Sequence, residues 1–283
     1  MYSHAFARPV LSERDFERLS RLISKTCGIR MPSAKKTMLQ GRLHKRIRQL
    51  NMTSLHDYCD YLFSNEGMKR ELHCMIDFVT TNKTDFFREP SHFEFLKETA
   101  VPSLVKLGRG TTRTLKCWSA GCSTGEEPYS LAMELTDLAA KCDDGLRFSI
   151  LATDISIRAL EAARLAIYRG DKAHAIPIEI KKKYFMKSRD RGEDLVRIVP
   201  GMRQLVQFRR VNLAEDYALE CRMDVVFCRN VLIYFDRQNQ ERVLARVCEF
   251  LNKGGYLFVG HSETLNGMNL PLEQAAPAVY VKR

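Results

Sequence analysis

Thr114-Leu115-Lys116-Cys117-Trp118-Ser119-Ala120-Gly121-Cys122-Ser123-Thr124-Gly125-Glu126-Glu127 decides the fold of this 283-residue chain. The run Thr114 to Ser119 reads as a buried strand. It passes into a loop of small residues and then into a helix expected from about Glu126 to Ala140. Small residues at Gly121, Ser123 and Gly125 let the backbone approach a ligand closely. A tight strand-to-helix turn needs the same residues, so the G-x-G-x-G spacing, with Ser in the middle, leaves both readings open. A phosphate-binding loop wants a Lys and a helix start free of acid. Here two carboxylates follow Gly125; they repel a phosphate and suit a cationic ligand.

Outward from that loop, strands alternate with helices. Phe148 to Thr153 reads as a second strand ending at Asp154, with a helix near Ile157 to Leu165. Leu205 to Val211, Asp224 to Cys228 and Tyr256 to Gly260 follow as strands, Gln238 to Leu251 as a helix, and Val279 to Lys282 as a last strand. Such alternation predicts a mostly parallel, doubly wound sheet, whose ligand lies beyond the C-terminal strand ends. Asp154 then stands where acidic residues accept ribose hydroxyls, and it also suits the capping of the helix after it. S-adenosylmethionine carries a sulfonium, an ammonium and a ribose, and fits that set of carboxylates. Residues 168–204 interrupt the alternation. They hold Lys181-Lys182-Lys183, a turn-rich stretch from Ser188 to Asp194 and the strand-like Leu195 to Val199, which suggests a small hairpin-bearing insertion.

No strand signal precedes residue 110. Ser12 is a candidate N-cap, with Glu13, Asp15 and Glu17 in the opening turns. Phe16, Leu19, Leu22 and Ile23 follow at helical spacing. A second helix carries Leu39, Leu43, Ile47 and Leu50 on one face. Further helices are expected at Leu55 to Phe63 and Met68 to Val79. The formal net charge is +11, and between Glu17 and Asp57 ten Lys or Arg meet no acidic residue. Arg42, Lys45 and Arg48 project from the polar side of the second helix, with Arg46 flanking, and imply a partner of negative charge: nucleic acid, an anionic membrane or an acidic protein surface. No apolar run reaches the roughly 20 residues of a membrane span, and no signal-peptide layout opens the chain; a cytoplasmic protein is expected. The nine cysteines include no C-x-x-C pair, so no metal is expected. Cys117, Cys228 and Cys248 read as small core residues.

Three further stretches carry binding groups. Thr80-Thr81-Asn82-Lys83-Thr84-Asp85-Phe86-Phe87-Arg88-Glu89-Pro90 joins the helical part to the rest, with Phe86 and Phe87 suited to plugging a core between them. Phe227-Cys228-Arg229-Asn230-Val231-Leu232-Ile233-Tyr234-Phe235-Asp236 places Asn230 at a strand end, with Tyr234 within reach of the same cleft. Gly260-His261-Ser262-Glu263 ends another strand, where His261 either lines the pocket or serves the structure.

These motifs resemble the chemotaxis receptor methyltransferases, the CheR family. The matching stretches are T-T-N-x-T-x-F-F-R-E at 80–89, W-S-A-G-C-S-T-G-E-E-P-Y-S at 118–130, F-C-R-N-V-L-I-Y-F-D at 227–236 and G-H-S-E at 260–263. The resemblance implies an α/β fold: a doubly wound, Rossmann-like class I S-adenosylmethionine-dependent methyltransferase domain with a small inserted β-subdomain, after a small all-α domain. The expected divisions are 1–80 for the helical domain, 81–112 for a linker and first helix, 113–283 for the methyltransferase domain and 168–204 for the insertion. Beside Gly121 of the small-residue loop, the resemblance implies Asn82, Thr84, Arg88, Glu127, Asp154, Asn212, Leu213, Arg229 and Asn230 as cofactor contacts. It implies Arg88 and Tyr234 as the catalytic pair. Arg42, Lys45, Arg46 and Arg48 resemble the family's receptor-docking helix. Some members bind a tethering pentapeptide at the receptor C-terminus. Lys187 and Arg197 fall at positions resembling its basic contacts, although Ser188 and Asp190 stand where such members often have glycines.

The activity implied is transfer of a methyl group to glutamate carboxylates of chemoreceptors, by a monomer that neither binds nucleic acid nor inserts into the membrane. A nucleic-acid methyltransferase would fit the basic helix, but Asn230 is followed by Val231-Leu232-Ile233 rather than by the prolines of amine-methylating members. No aromatic platform accompanies the basic residues. An NAD-dependent oxidoreductase lacks its G-x-G-x-x-G here. A non-catalytic adaptor on the same fold stays open.

Overall fold

Ser12 caps the first helix: its hydroxyl accepts the Asp15 N–H at 3.0 Å, and Gly28 ends the helix in the left-handed conformation at φ 69°. In the computed structural model, which describes residues 10–142, 145–190 and 192–283, the chain forms two compact units, Met1–Thr81 and Asn82–Arg283.

The first unit is helical: α1 (Glu13–Cys27), α2 (Lys36–Gln49), α3 (Leu55–Leu62), α4 (Asn65–Arg70) and α5 (Leu72–Val79). Phe16, Leu19 and Ile23 of α1 are buried, as are Leu39, Leu43 and Ile47 of α2, so one face of each helix enters the core. The single helix expected over Met68 to Val79 is broken at Glu71, whose backbone departs to φ −104°. Its carboxylate turns inward, where it takes a two-pronged bond from Arg46 at 2.6 and 2.7 Å and the Tyr58 hydroxyl at 3.1 Å.

The second unit opens with α6 (Pro90–Phe95) and α7 (Val101–Lys106), joined by a wider helical turn at Leu96–Ala100. Then follow β1 (Leu115–Ala120), α8 (Glu126–Ala139), β2 (Phe148–Asp154), α9 (Ile157–Leu165), β3 (Ile167–Arg169), α10 (Ile178–Tyr184), β4 (Phe185–Lys187), β5 (Leu195–Ile198) and α11 (Pro200–Gln204). β6 (Val206–Arg210), β7 (Met223–Cys228), α12 (Arg237–Phe250), β8 (Leu251–Val259), β9 (Leu272–Ala276) and β10 (Val279–Lys282) complete it. The main sheet has seven strands in the order β6-β2-β1-β7-β8-β10-β9. The strands from β6 to β8 run parallel; β10 and β9 turn back antiparallel at one edge.

The chain leaves β1 toward β2 on one side and later returns to β7 on the other. The strand order therefore reverses between β1 and β7, and the C-terminal ends of these strands open a crevice. The strands at that crevice are buried on both faces: every residue of β7 is buried, and Trp118 of β1 donates its indole N–H to the Thr153 hydroxyl at 2.9 Å. Cys117, Cys228 and Cys248 are buried too. The insertion carries an antiparallel hairpin, β4 and β5, to which β3 adds a third strand in the order β3-β5-β4. Ile167–Arg169 adds the extra strand by pairing with Leu195 to Arg197. Phe86 packs edge-on against Tyr168 and Phe185, within the second unit rather than between domains.

Asp224, fully buried at the start of β7, braces the opposite end of the sheet. Its carboxylate takes Arg113 at 2.6 and 2.8 Å, the Lys116 N–H of β1 at 3.0 Å and the Asn252 amide at 2.8 Å. Burial alone would push this carboxyl up, but Arg113 and the other donors hold it below the usual range. A depressed folded-state pKa means stability present above about pH 4 and lost as pH falls through the folded value. Asp224→Asn should lower stability at pH 7 by about 3 kcal/mol, since it removes the charge that pairs with Arg113 and with Arg109, 3.2 Å away. It should also flatten the acid limb; urea midpoints measured from neutral to acid pH check both.

Candidate active site

At the end of β1 the backbone bends sharply. Gly121 adopts φ 84°, and a Cβ there would lie 2.3 Å from Cγ2 of Val231, so only glycine fits. The Gly121 and Cys122 N–H groups donate to the Thr153 carbonyl at 2.7 and 2.9 Å, which binds the loop to the end of β2. Ser123, at φ 50°, donates its N–H to Asp154 at 2.8 Å, and the other Asp154 oxygen accepts from the Ser156 N–H at 2.9 Å. Ser156, not Asp154, is the side-chain cap of α9. Gly125 takes φ 97° and precedes α8, whose first turn carries Glu126 and Glu127.

Glu127 accepts the Ser119 hydroxyl at 2.7 Å, and its other oxygen lies 3.7 Å from Nε of Arg229. Burial raises its pKa, with Arg229 and Ser119 pulling the other way. Burial likewise raises Glu126, whose carboxylate takes the Thr124 hydroxyl at 2.6 Å. Arg229, at the end of β7, is 5% exposed; its Nε also lies 3.4 Å from Glu89. Its guanidinium donates to the Arg88 carbonyl and stands 5.7 and 5.5 Å from the ring centres of Phe93 and Phe227. Arg229 thus draws the 82–90 segment and α8 onto the end of β7.

Asn230 comes next, strained into φ 56°. Its N–H donates to Glu263 at 2.9 Å, and Glu263 also accepts the N–H groups of Gly260 at 2.6 Å and Ile233 at 3.2 Å. One buried carboxylate therefore clamps the turns after β7 and β8. Its pKa is raised by burial against those donors. At the crevice's far side, Asn212 accepts the Ala214 N–H at 3.1 Å, and the Val211 N–H donates to the Asp154 carbonyl at 3.1 Å. A ligand bearing positive charge and ribose hydroxyls suits this donor set: carboxylates at Glu127 and Asp154, no lysine in the glycine loop, and a buried Ser123 hydroxyl without a partner of its own.

Comparisons with known proteins bear directly on this crevice. Residues 82–281 match the family model described as the CheR methyltransferase, SAM binding domain, and residues 14–80 match the CheR methyltransferase, all-alpha domain. The chain belongs to the CheR methyltransferase family. A chemotaxis protein methyltransferase of Escherichia coli (strain K12) is 36% identical over 274 residues, 96% of this chain and 92% of that protein. One from Borreliella burgdorferi is 34% identical, covering 96% of this chain and 95% of its own. A solved structure, the glycopeptide N-methyltransferase MtfA complexed with sinefungin, is matched at 14% identity and TM-score 0.34, over 73% of this chain and 62% of that one. This CheR-family chain is therefore a methyltransferase of chemotaxis, and its cofactor is S-adenosylmethionine.

The structure of this CheR methyltransferase gathers Gly121, Glu127, Asp154, Arg229 and Asn230 at the strand ends, with Asn212 and the buried Leu213 just beyond β6. Asn82 opens the second unit. Thr84 is fixed through its carbonyl, which accepts from the Lys172 ammonium; Lys172 also pairs with Asp85 at 2.8 Å. Arg88 contributes its carbonyl to Arg229, while its own guanidinium bonds the Lys83 carbonyl at 3.4 Å. Tyr234 is half-buried in a helical turn after Asn230, and among the described residues no hydrogen bond joins it to Arg88. Nothing in the sequence marks the roles of Ser119, Glu89, Glu263 and Lys172. The first three lie inside the stretches 118–130, 80–89 and 260–263; Lys172 has no local signal.

The four basic residues of α2 divide. Lys45 and Arg48 are exposed. Arg46 is turned into Glu71, and Arg42 donates to the Val79 and Thr80 carbonyls and the Thr81 hydroxyl, closing the end of α5. In the inserted sheet, Lys187 pairs with Val196 and Met186 with Arg197. Successive residues face opposite sides, so Lys187 and Arg197 do not share a face. Ser188 and Asp190 build the turn themselves: the Asp190 N–H donates to the Ser188 hydroxyl and the Gly192 N–H to Asp190.

Two outcomes follow. Arg46→Ala should destabilise the helical unit by about 3–5 kcal/mol, because it strands a buried carboxylate. Lys45→Ala and Arg48→Ala should stay within about 0.5 kcal/mol of the parent; chemical denaturation separates the cases. Gly260→Ala should cut methyl transfer while the fold persists, since the new Cβ would lie 2.5 Å from the Asn230 amide and 2.9 Å from Glu263. Turnover and unfolding midpoint, measured on one preparation, check it.

Proposed function

We propose that this CheR-family methyltransferase esterifies glutamate side chains of bacterial chemoreceptors for sensory adaptation, acting in the cytoplasm as a monomer. The observation that carries this reading is the carboxylate-rich crevice at the strand ends, held together by the buried Arg229. It offers a cationic methyl donor opposite charge. A glutamate side chain, with pKa about 4.3, is ionised at neutral pH and needs no base. S-adenosylmethionine supplies the electrophilic methyl group.

What the chain must do is orient and exclude water, work that can be worth about 7–11 kcal/mol. In this reading Asn82, Thr84, Gly121, Glu127, Asp154, Asn212, Leu213, Arg229 and Asn230 hold the cofactor. Arg88 and Tyr234 aim the acceptor carboxylate, because a guanidinium fork and a phenol both match carboxylate geometry. Phe93 and Phe227, both buried, keep the wall behind Arg229 dry. Lys45 and Arg48, the exposed pair of α2, meet the acidic methylation region of the receptor, and Arg42 and Arg46 hold that helix in place. Capture of a receptor C-terminal pentapeptide would rest on Arg197 or Lys187 singly, since they face opposite sides of the inserted sheet.

The test is methyl transfer from radiolabelled cofactor to receptor-bearing membranes. Label released as methanol by mild base marks an ester; base-stable label marks an amine acceptor and would overturn the assignment. Tyr234→Phe should reduce turnover about tenfold or more, a loss of roughly 1.4 kcal/mol of transition-state stabilisation. Cofactor affinity, read by calorimetry, should stay within about twofold.

A further inference from the structure

Beside the crevice, Glu89, His92 and His261 each present a ligand atom, and these atoms all lie within 4.8 Å of one another. Glu89 stands just before α6 at φ 57°, His92 lies one turn along that helix, and His261 follows β8. Nδ1 of His92 is 3.3 Å from a Glu89 oxygen, and the two imidazole rings meet edge to face at 4.7 Å. His92 is 1% exposed, and the Glu89 oxygen that it faces also lies 3.4 Å from Nε of Arg229. Buried polar groups gathered this closely must be satisfied by one another or by a bound ion.

The local charge leaves room for one. Two carboxylates, Glu89 and Glu127, face the single guanidinium of Arg229.

We propose that Glu89, His92 and His261 bind a divalent transition-metal ion of the zinc class. Two imidazoles and one carboxylate are a ligand set that zinc accepts, with water completing the tetrahedron. His92 and Glu89 are fixed at the start of α6. His261 is exposed and is the member able to close in, giving up its 3.3 Å contact with the Ser91 hydroxyl where Nε2 is the ligating atom. Arg229 is the competing cation, 3.4 Å from Glu89. Ion binding therefore draws Glu89 away from Arg229 and couples metal occupancy to the strand-end network.

The experiment titrates Co²⁺ into full-length protein stripped with chelator. One equivalent should bind with visible ligand-field bands and no thiolate-to-cobalt charge-transfer band. His261→Ala, at an exposed position, should keep the parent's unfolding midpoint in chelator and weaken Co²⁺ binding about tenfold or more. Unchanged affinity in that variant overturns the site. So does a thiolate band, which would place the ion on some of the nine cysteines.

Discussion

Arg229 cannot be buried alone. A guanidinium taken out of water costs several kcal/mol unless carboxylates and carbonyls surround it. Here Glu127 comes from the first turn of α8, Glu89 and the Arg88 carbonyl from the segment before α6, and Phe93 and Phe227 from the apolar wall. Three pieces of chain far apart in sequence are thus obliged to meet at one strand end. The arrangement of the crevice is less a set of separate contacts than the solution to one desolvation problem.

Glu263 solves a second problem of the same kind in the opposite sense. It is a buried anion satisfied by backbone N–H groups of Gly260, Asn230 and Ile233. Its bonds hold Asn230 in a left-handed conformation that an asparagine tolerates better than most residues but does not prefer. Strain of this sort persists only where the surroundings over-determine it. The turn carrying Tyr234 inherits its position from that clamp.

Much of this was legible in the sequence because it depends on short-range pattern. The strand-loop-helix at 114–140, the alternation that followed and the helical first 80 residues all obey periodicity and turn chemistry. What was not legible depends on reach across the fold. The polar side of α2 reads as a charged surface, yet Arg46 curls back to a glutamate 25 residues later, and Arg42 caps a helix that ends 37 residues on. A long side chain's helical angle says little about where its guanidinium ends. The strand Ile167–Arg169 is too short to show alternation and exists because Leu195 to Arg197 pairs with it. The roles of Ser119 and Glu89 likewise follow from partners that no local spacing reveals.

Gly121 and Val231 touch across the crevice's floor, the one without room for a single extra carbon against the other. The glycine loop and the turn after β7 therefore cannot diverge independently. A bulkier residue at position 121 would demand both a left-handed backbone and a smaller side chain at 231, two changes that are each costly before the other has occurred. Drift at these two positions is locked together, and the floor of the crevice is a place where sequence change proceeds in pairs or not at all.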